Sequence, residues 1–236
     1  MSMLLALLAA ATPVTIVSET PDLDFSYKWS GEANAIPALA RRFRGDAATR
    51  KAEMLRSANA EKAFRVKQKM VWNGLQFSRN WETSGQSPRL LSLVSFTSAY
   101  TGGAHPNSNT TALLWDRRAA QEITIASLLR SGQSWDGAIR QPFCVLLNRE
   151  RAKRRQEPVR SGEWPSQCPA LKELTIALAD ENRNGRFDHL AITADAYVAG
   201  PYAEGAYEIS LPLTATMLAR LKPDYRPSFE PQPPVQ

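Results

Sequence analysis

The stretch LSLVSFTSAYTGGAHPN, residues 91–107, passes from alternating apolar positions into a segment rich in glycine. Apolar residues recur at even offsets on both sides of this segment, at Leu90, Val94, Phe96, Tyr100, Ala112 and Leu114. A period of two is typical of a β-strand that buries one face. Gly102 and Gly103 supply the backbone freedom that a tight connection needs. The pattern therefore predicts two antiparallel strands joined by a turn.

In the rest of the chain, the spacing of apolar residues changes twice between the helical and the strand period. Residues 34–70 are helix formers interrupted only at Gly45-Asp46, which predicts two basic helices with an acidic N-cap on the second. Strands follow, and residues 135–155 then predict another helix with basic residues at its C-terminal end. Further strands and a short helix complete the chain. We expect an α+β protein made of two helix-plus-antiparallel-sheet halves packed together.

This organisation predicts four segments. Residues 1–11 are expected to be a signal peptide, and residues 20–130 an N-terminal α+β module. Residues 131–224 form the second α+β module, and residues 225–236 a proline-rich tail that frays.

The N-terminal run MSMLLALLAAATP has the apolar stretch and the small residues of an export signal. No Lys or Arg precedes it, so a buried N-terminal helix stays open as the alternative. The run is shorter than the ~20 residues of a transmembrane helix, and no later segment qualifies. We expect a periplasmic or secreted protein without a transmembrane span.

The chain has two cysteines, Cys144 and Cys168. In an oxidising compartment an even pair is most simply a disulfide. Two unpaired core thiols are the alternative.

The net charge of +6 limits the choice of partners. For an exported protein it favours an anionic envelope polymer over nucleic acid. Solvated helix faces are the preferred explanation of the same basic residues, and an anionic partner is the alternative. We expect a monomer.

The segment DENRNGRFD, residues 180–188, has the spacing of the first part of a calcium loop. Oxygen-bearing side chains occupy its positions 1, 3, 5 and 9, namely Asp180, Asn182, Asn184 and Asp188. Ala191 stands where an EF-hand has its bidentate glutamate, and Asn184-Gly185 is also a favoured hairpin turn. A structural turn is therefore preferred, calcium is kept as the alternative, and no other cofactor is expected.

Three segments carry a resemblance to a known family. They are LSLVSFTSAYTGGAHPN (91–107), ALLWDRRAAQEITIASLL (112–129) and AYVAGPYAEGAYEISLP (196–212). In these the chain resembles the extracellular domains of unknown function of the lysozyme-sensing anti-sigma factor RsiV and, for the N-terminal half, of the peptidoglycan deacetylase PdaC. The resemblance implies a shared fold without a shared reaction. We therefore expect neither the deacetylase activity nor the signalling role of those proteins to carry over to this sequence.

We therefore expect a non-catalytic binding module for a cell-envelope component. Its predicted binding surface consists of two loops, with Tyr100, Gly102, Gly103, His105 and Asn107 in the first and Tyr202 and Glu204 in the second. A lysozyme-binding or lysozyme-inhibiting protein is one alternative, although common lysozymes are basic and repel a chain of this charge. A wall-glycan hydrolase with Glu204 as general acid is the other, but it lacks an obvious second carboxylate.

Overall fold

The computed structural model describes residues 11–159, 162 and 166–235. Apart from Ala11, the predicted signal peptide lies outside the described residues. The chain divides into two compact units: unit 1 comprises Met1–Glu82 and Ser98–Asn107, and unit 2 comprises Thr83–Thr97 and Ser108–Gln236. Unit 2 thus includes residues that the sequence assigned to the N-terminal module.

Unit 1 begins with two strands that the sequence reading passed over, β1 (Val14–Glu19) and β2 (Leu23–Trp29). They pair antiparallel, and β2 pairs parallel with the start of β3 (Leu75–Gln86). The alternate residues Leu23, Phe25, Tyr27 and Trp29 are buried. Between β2 and β3 come the short helix α1 (Gly31–Asn34) and the long helix α2 (Pro37–Lys67). The parallel pairing requires such a crossover connection.

The prediction of two helices broken at Gly45-Asp46 was wrong, because α2 is continuous through both residues. Asp46 does not cap a second helix; its carboxylate accepts hydrogen bonds from Tyr27 Oη and Arg79 Nη1, each at 2.7 Å. Phe43 and Ala47 on either side are buried. The roughly 1 kcal/mol that a mid-helix glycine costs is offset by these tertiary contacts.

The predicted hairpin is confirmed as β4 (Leu90–Tyr100) and β5 (Asn107–Asp116), which are neighbours in the first sheet. That sheet has the strand order β1-β2-β3-β4-β5-β6, with β6 at Gln121–Ile123. β5 and β6 pair antiparallel.

In unit 2 the helix α3 (Asp136–Arg155) and the antiparallel sheet β7-β8-β9 confirm the predicted helix and strands. The strands are β7 (Thr175–Ala179), β8 (His189–Ala194) and β9 (Tyr207–Pro212), and the helix α4 (Ala215–Leu218) follows them. Ile139, Phe143 and Leu147 of α3 share one buried cluster with the sheet residues. The predicted disulfide is confirmed, with the Cα atoms of Cys144 and Cys168 5.7 Å apart. Helices and antiparallel-rich sheets together confirm the α+β class.

The C-terminal segment does not fray within the described residues. Pro223–Ser228 form 3₁₀ turns, and Ser228 and Phe229 are buried. The Phe229 ring packs against Phe187 with 5.5 Å between centroids. The apolar contact of Phe229 outweighs the disorder that the proline-rich composition suggests.

Candidate functional site

The first predicted loop connects β4 to β5 in unit 1. Gly102 has a φ of +95°, and its carbonyl oxygen accepts a hydrogen bond of 2.6 Å from Arg65 near the end of α2. His105 Nδ1 lies 2.9 Å from the carbonyl oxygen of Pro106. Tyr100 is half-buried, and Gly103 and Asn107 are exposed. The Gly102 carbonyl thus ties this loop to the C-terminal end of α2.

The second predicted loop lies in unit 2, between β8 and β9, and we call residues 195–205 the tyrosine loop. It contains two aromatic side chains that face solvent, Tyr197 with 57% of its surface exposed and Tyr202 with 36%. Their ring centroids are 5.7 Å apart and their planes are inclined by 34°. Neighbouring exposed aromatic rings are enriched at binding surfaces, because each offers a large rigid contact area.

The backbone of the tyrosine loop is strained at one of these positions. Tyr197 has a φ of +71°, a left-handed conformation that bulky side chains rarely adopt. Hydrogen bonds on either side hold the turn: Tyr197 N–H donates to Gly200 O, and Val198 N–H donates to Asp195 O, both at 3.0 Å. Such strain persists only where the surroundings over-determine the conformation. The fold therefore holds the Tyr197 ring in an exposed position at a cost in local backbone energy.

Arg151 of α3 anchors the loop from inside the unit. Its side chain is fully buried, and its Nε and Nη2 donate to the carbonyl oxygen of Ala199 at 2.9 and 2.7 Å. The same guanidinium also donates to Asn148 Oδ1 and to the carbonyl oxygens of Ser166 and Gln167. Burial lowers the pKa of Arg151, but the five hydrogen bonds satisfy the group.

Arg155 and Arg154, from the last turn of α3, hold the other end of the loop. Arg155 forms a two-pronged ion pair with the Glu204 carboxylate, at 2.8 and 2.9 Å. Arg154 donates to the carbonyl oxygens of Glu204 and Ala206 and lies 4.1 Å over the ring of Tyr207. These two basic residues are therefore loop anchors and not simply a solvated helix face.

Glu204 does not have the environment of a general acid. The hydrogen bond from Arg155 lowers the pKa of this carboxyl, and the Tyr207 hydroxyl also donates to it. A catalytic acid needs its pKa raised toward the working pH. A Cβ at Gly200 would overlap the same carboxylate, so the glycine allows this close packing. Glu204 thus shapes the tyrosine loop.

The segment 180–188 of unit 2 folds as a compact turn. Both carboxylate oxygens of Asp180 accept backbone N–H groups, from Asn184 at 3.0 Å and Gly185 at 2.9 Å. The side-chain oxygens of Asn182 and Asn184 also accept backbone N–H groups. Asp188 is buried and accepts from Glu181 N–H. Among the described residues, no cluster of three His, Cys, Asp or Glu side chains suits a metal. The bonding pattern is typical of a structural turn, and calcium binding stays a prediction.

Two surface cavities of unit 2 are large enough for a small molecule but have few reactive side chains in their linings. One, of about 490 Å³, is lined mainly by apolar side chains that include Ile125, Leu129 and Trp135. The other, of about 470 Å³, follows α3 past Arg140 and Cys144. Neither lining contains two carboxylates among the residues described. The described part of the chain has no helix with the length and apolar composition of a membrane span.

Sequence reasoning found Tyr202 but missed its partner Tyr197. The signal for Tyr197 was available, since Asp195-Ala196-Tyr197 follows directly on the end of β8 and precedes Gly200-Pro201. Sequence reasoning also missed the three arginine anchors, because the residues in and beside the tyrosine loop that they bind lie 48 to 52 positions away along the chain.

No protein-family model matches the sequence, and no curated protein matches it. Two solved structures are similar over nearly the whole chain. A DUF3298 family protein from Pseudomonas aeruginosa PAO1 has a TM-score of 0.55 at 17% identity, over 95% of this chain and 97% of its own. A DUF3298 family member from Bacteroides fragilis has a TM-score of 0.52 at 16% identity, over 92% and 96%.

DUF3298 proteins form a domain-of-unknown-function family, as the sequence reading expected, while the specific resemblance to RsiV and PdaC stays a prediction. At these identities the likeness concerns the fold and not the activity. The chain is thus similar in fold to DUF3298 family proteins.

Proposed function

We propose that the protein is a non-catalytic module that binds a glycan component of the cell envelope through the tyrosine loop. The observation that carries this proposal is the exposed pair Tyr197 and Tyr202, held in place by three arginines of α3. The expected location in the periplasm or outside the cell is part of the proposal.

A glycan suits this surface for a chemical reason. The C–H groups on one face of a sugar ring carry partial positive charge, and an aromatic ring presents a negative face to them. Two exposed tyrosines whose ring centroids are 5.7 Å apart are close enough to contact one sugar together, and tyrosine hydroxyl groups can hydrogen-bond sugar hydroxyls. Because the three arginines already hold the loop in one conformation, little conformational entropy is lost on binding.

The same geometry argues against a glycan hydrolase at this loop. Hydrolysis of a glycosidic bond needs a protonated carboxyl beside the scissile oxygen. The pKa of Glu204 is lowered by its ion pair with Arg155, so this carboxyl stays ionised at neutral pH. Lysozyme binding gains no support from the described contacts, and the net charge of +6 opposes it.

Retention on purified peptidoglycan tests the proposal, with titration of soluble N-acetylglucosamine oligomers as the quantitative measurement. We expect Tyr197→Ala and Tyr202→Ala each to weaken binding about tenfold, as for an aromatic residue at the centre of an interface. Alanine keeps a Cβ at position 197, so the backbone strain is unchanged. Phe96→Ala is the matched control, because Phe96 is an exposed aromatic residue of strand β4.

The outcomes separate the hypotheses. Equal binding by the tyrosine variants and the unmutated protein would remove the tyrosine loop as the site, and a loss confined to Tyr100→Ala would assign binding to the β4–β5 loop. No retention on peptidoglycan or lipopolysaccharide at low salt would overturn the binding function itself. Inhibition of lysozyme by the added protein, without glycan binding, would put the lysozyme hypothesis in its place.

A further inference from the structure

The segment of residues 41–69, which comprises most of α2 and the two residues after it, carries more net positive charge than the whole protein. Residues 41–69 contain ten Lys and Arg and three Asp and Glu, a net charge of 10 − 3 = +7, whereas the full chain carries +6. The remaining residues together are therefore close to neutral. Arg41, Arg44, Arg56, Lys67 and Lys69 are exposed.

The same helix carries apolar side chains that stay exposed among the described residues. At about 100° per residue, the exposed residues Ala48, Ala52, Leu55, Ala63 and Val66 fall within an arc of roughly 80°. The same arc also contains the exposed polar residues Arg41 and Asn59. We call this arc the outer stripe. It lies roughly 130° around the helix from the buried face, which contains Leu39, Phe43 and Met54.

Two more exposed apolar residues follow shortly after the end of α2. They are Met70 and Val71, and 73% of the surface of Val71 is exposed. Of the ten large apolar side chains that are exposed among the described residues, five lie between Leu55 and Val71. Such a concentration in one segment is unusual for a surface that faces only water.

Basic side chains flank the outer stripe on both sides. On the helical wheel Arg56 and Lys67 border one edge, and Arg44 and Lys51 border the other. Exposed apolar side chains between rows of basic residues suit a helix that rests against an anionic membrane surface. Lys62 and Arg65 are engaged within unit 1, by Asp22 and Glu61 respectively.

We propose that the outer stripe, with Met70 and Val71, is a docking surface for an anionic lipid bilayer. A bilayer matches both the charge and the apolar side chains of this surface. Its anionic headgroups neutralise the lysines and arginines, and the boundary of its acyl chains covers Val66 and Val71. Nucleic acid or another polyanion would leave the apolar side chains in water. A second copy of this chain would bring two net charges of +7 together.

Co-sedimentation with lipid vesicles tests the proposal on the full chain. One set of vesicles is pure phosphatidylcholine, and the other is equal parts phosphatidylcholine and phosphatidylglycerol. Binding is expected to the anionic vesicles only and to weaken with salt. The double variant Arg56→Glu with Lys67→Glu is expected to lower the partition coefficient by about 30-fold or more, since each basic residue near an anionic surface contributes about fivefold.

A matched control changes the same charge in unit 2. Arg118→Glu with Lys153→Glu replaces two exposed basic residues, and Lys153 lies in the last turn of α3 as Lys67 does in α2. This control is expected to stay within about threefold of the unmutated protein, because its charges are outside the docking surface. Val66→Ser with Val71→Ser is expected to weaken binding about tenfold. Val17→Ser, at an exposed valine of strand β1, is its control.

Three results would overturn the proposal. The first is equal binding to the two kinds of vesicle, or no binding to either. The second is a loss of heparin binding in the charge variant while the valine variant still binds vesicles normally, which would assign the surface to soluble polyanions. The third is a concentration-dependent dimer in sedimentation velocity that the valine variant abolishes, which would assign it to self-association. Glycan binding by the tyrosine loop is measured separately, so either proposal can fail alone.

Discussion

Replacement of Arg151 by methionine tests whether a buried arginine holds the tyrosine loop in place. Methionine keeps much of the volume of the side chain but removes its charge and all five of its hydrogen bonds. The buried carbonyl oxygen of Ala199 would lose two donors at once. Asn148, Ser166 and Gln167 are less deeply buried, so water can replace their lost bonds.

The magnitude follows from two opposing effects. An unsatisfied buried carbonyl costs about 1–3 kcal/mol, and the loss of charged hydrogen bonds to the partly exposed groups adds to this cost. Removing the buried guanidinium recovers part of its desolvation penalty. We expect the free energy of unfolding of unit 2 to fall by about 2–3 kcal/mol, which corresponds to a decrease in Tm of about 4–12 °C. Arg151→Lys keeps the positive charge but removes the planar guanidinium with its several N–H donors. It should therefore lower the free energy of unfolding by less than Arg151→Met does.

Urea unfolding followed by circular dichroism measures the total effect, and hydrogen exchange resolved by peptide assigns it to unit 2. Exchange of the Tyr197 amide, which donates to Gly200 O, should accelerate more than that of the sheet amides. Lys153→Met removes the same charge from a side chain on α3 that is 79% exposed, and it should change stability by less than about 0.5 kcal/mol. An Arg151→Met protein as stable as this control, with unchanged exchange in residues 195–205, would refute the anchoring role.

Three further outcomes are expected. Gly45→Ala should raise the free energy of unfolding by about 0.5–1 kcal/mol in urea melts, because Gly45 lies within α2 with open space where a Cβ would be; a loss of stability would contradict this. Replacing both Cys144 and Cys168 by serine should lower the free energy of unfolding by about 3 kcal/mol, and reduction of the disulfide in the unmutated protein should reproduce that loss. The pKa of Glu204 is lower in the folded state than the unfolded value of about 4.3, so its stabilisation is present above that value and is lost as pH falls through the folded pKa. Glu204→Gln should therefore be less stable than the unmutated protein at neutral pH but nearly equal in acid, and a constant difference across that range would count against the ion pair with Arg155.

The elements with a strong local period were predictable. The helix α3 and the strands β8 and β9 each bury one face, so their apolar residues repeat at the period of the element. The hairpin around Gly102 was predictable from its glycines between two apolar segments. The same signal existed for β2, where Leu23, Phe25, Tyr27 and Trp29 alternate, although the sequence reading did not use it. The disulfide was predictable because only two cysteines exist to be paired.

The errors arose where a residue has its partner far along the chain. Gly45-Asp46 has the local signature of a helix boundary. Asp46 instead accepts hydrogen bonds from Tyr27 and Arg79, which are 19 and 33 positions away. The proline-rich tail suggested fraying, yet Phe229 packs on Phe187. In both cases the burial of a distant partner outweighs a local preference of about 1 kcal/mol.

The sequence by itself thus determined the α+β class, the cysteine pairing, the charge of α2 and the loops that carry exposed residues. Only the tertiary structure decided that Tyr197 stands beside Tyr202, that Arg151, Arg154 and Arg155 are anchors, and that Glu204 is tied in an ion pair. The physical reason is that period, turn chemistry and net charge are properties of neighbouring residues. Hydrogen bonds and ring contacts depend on which distant residues the fold brings within a few ångströms.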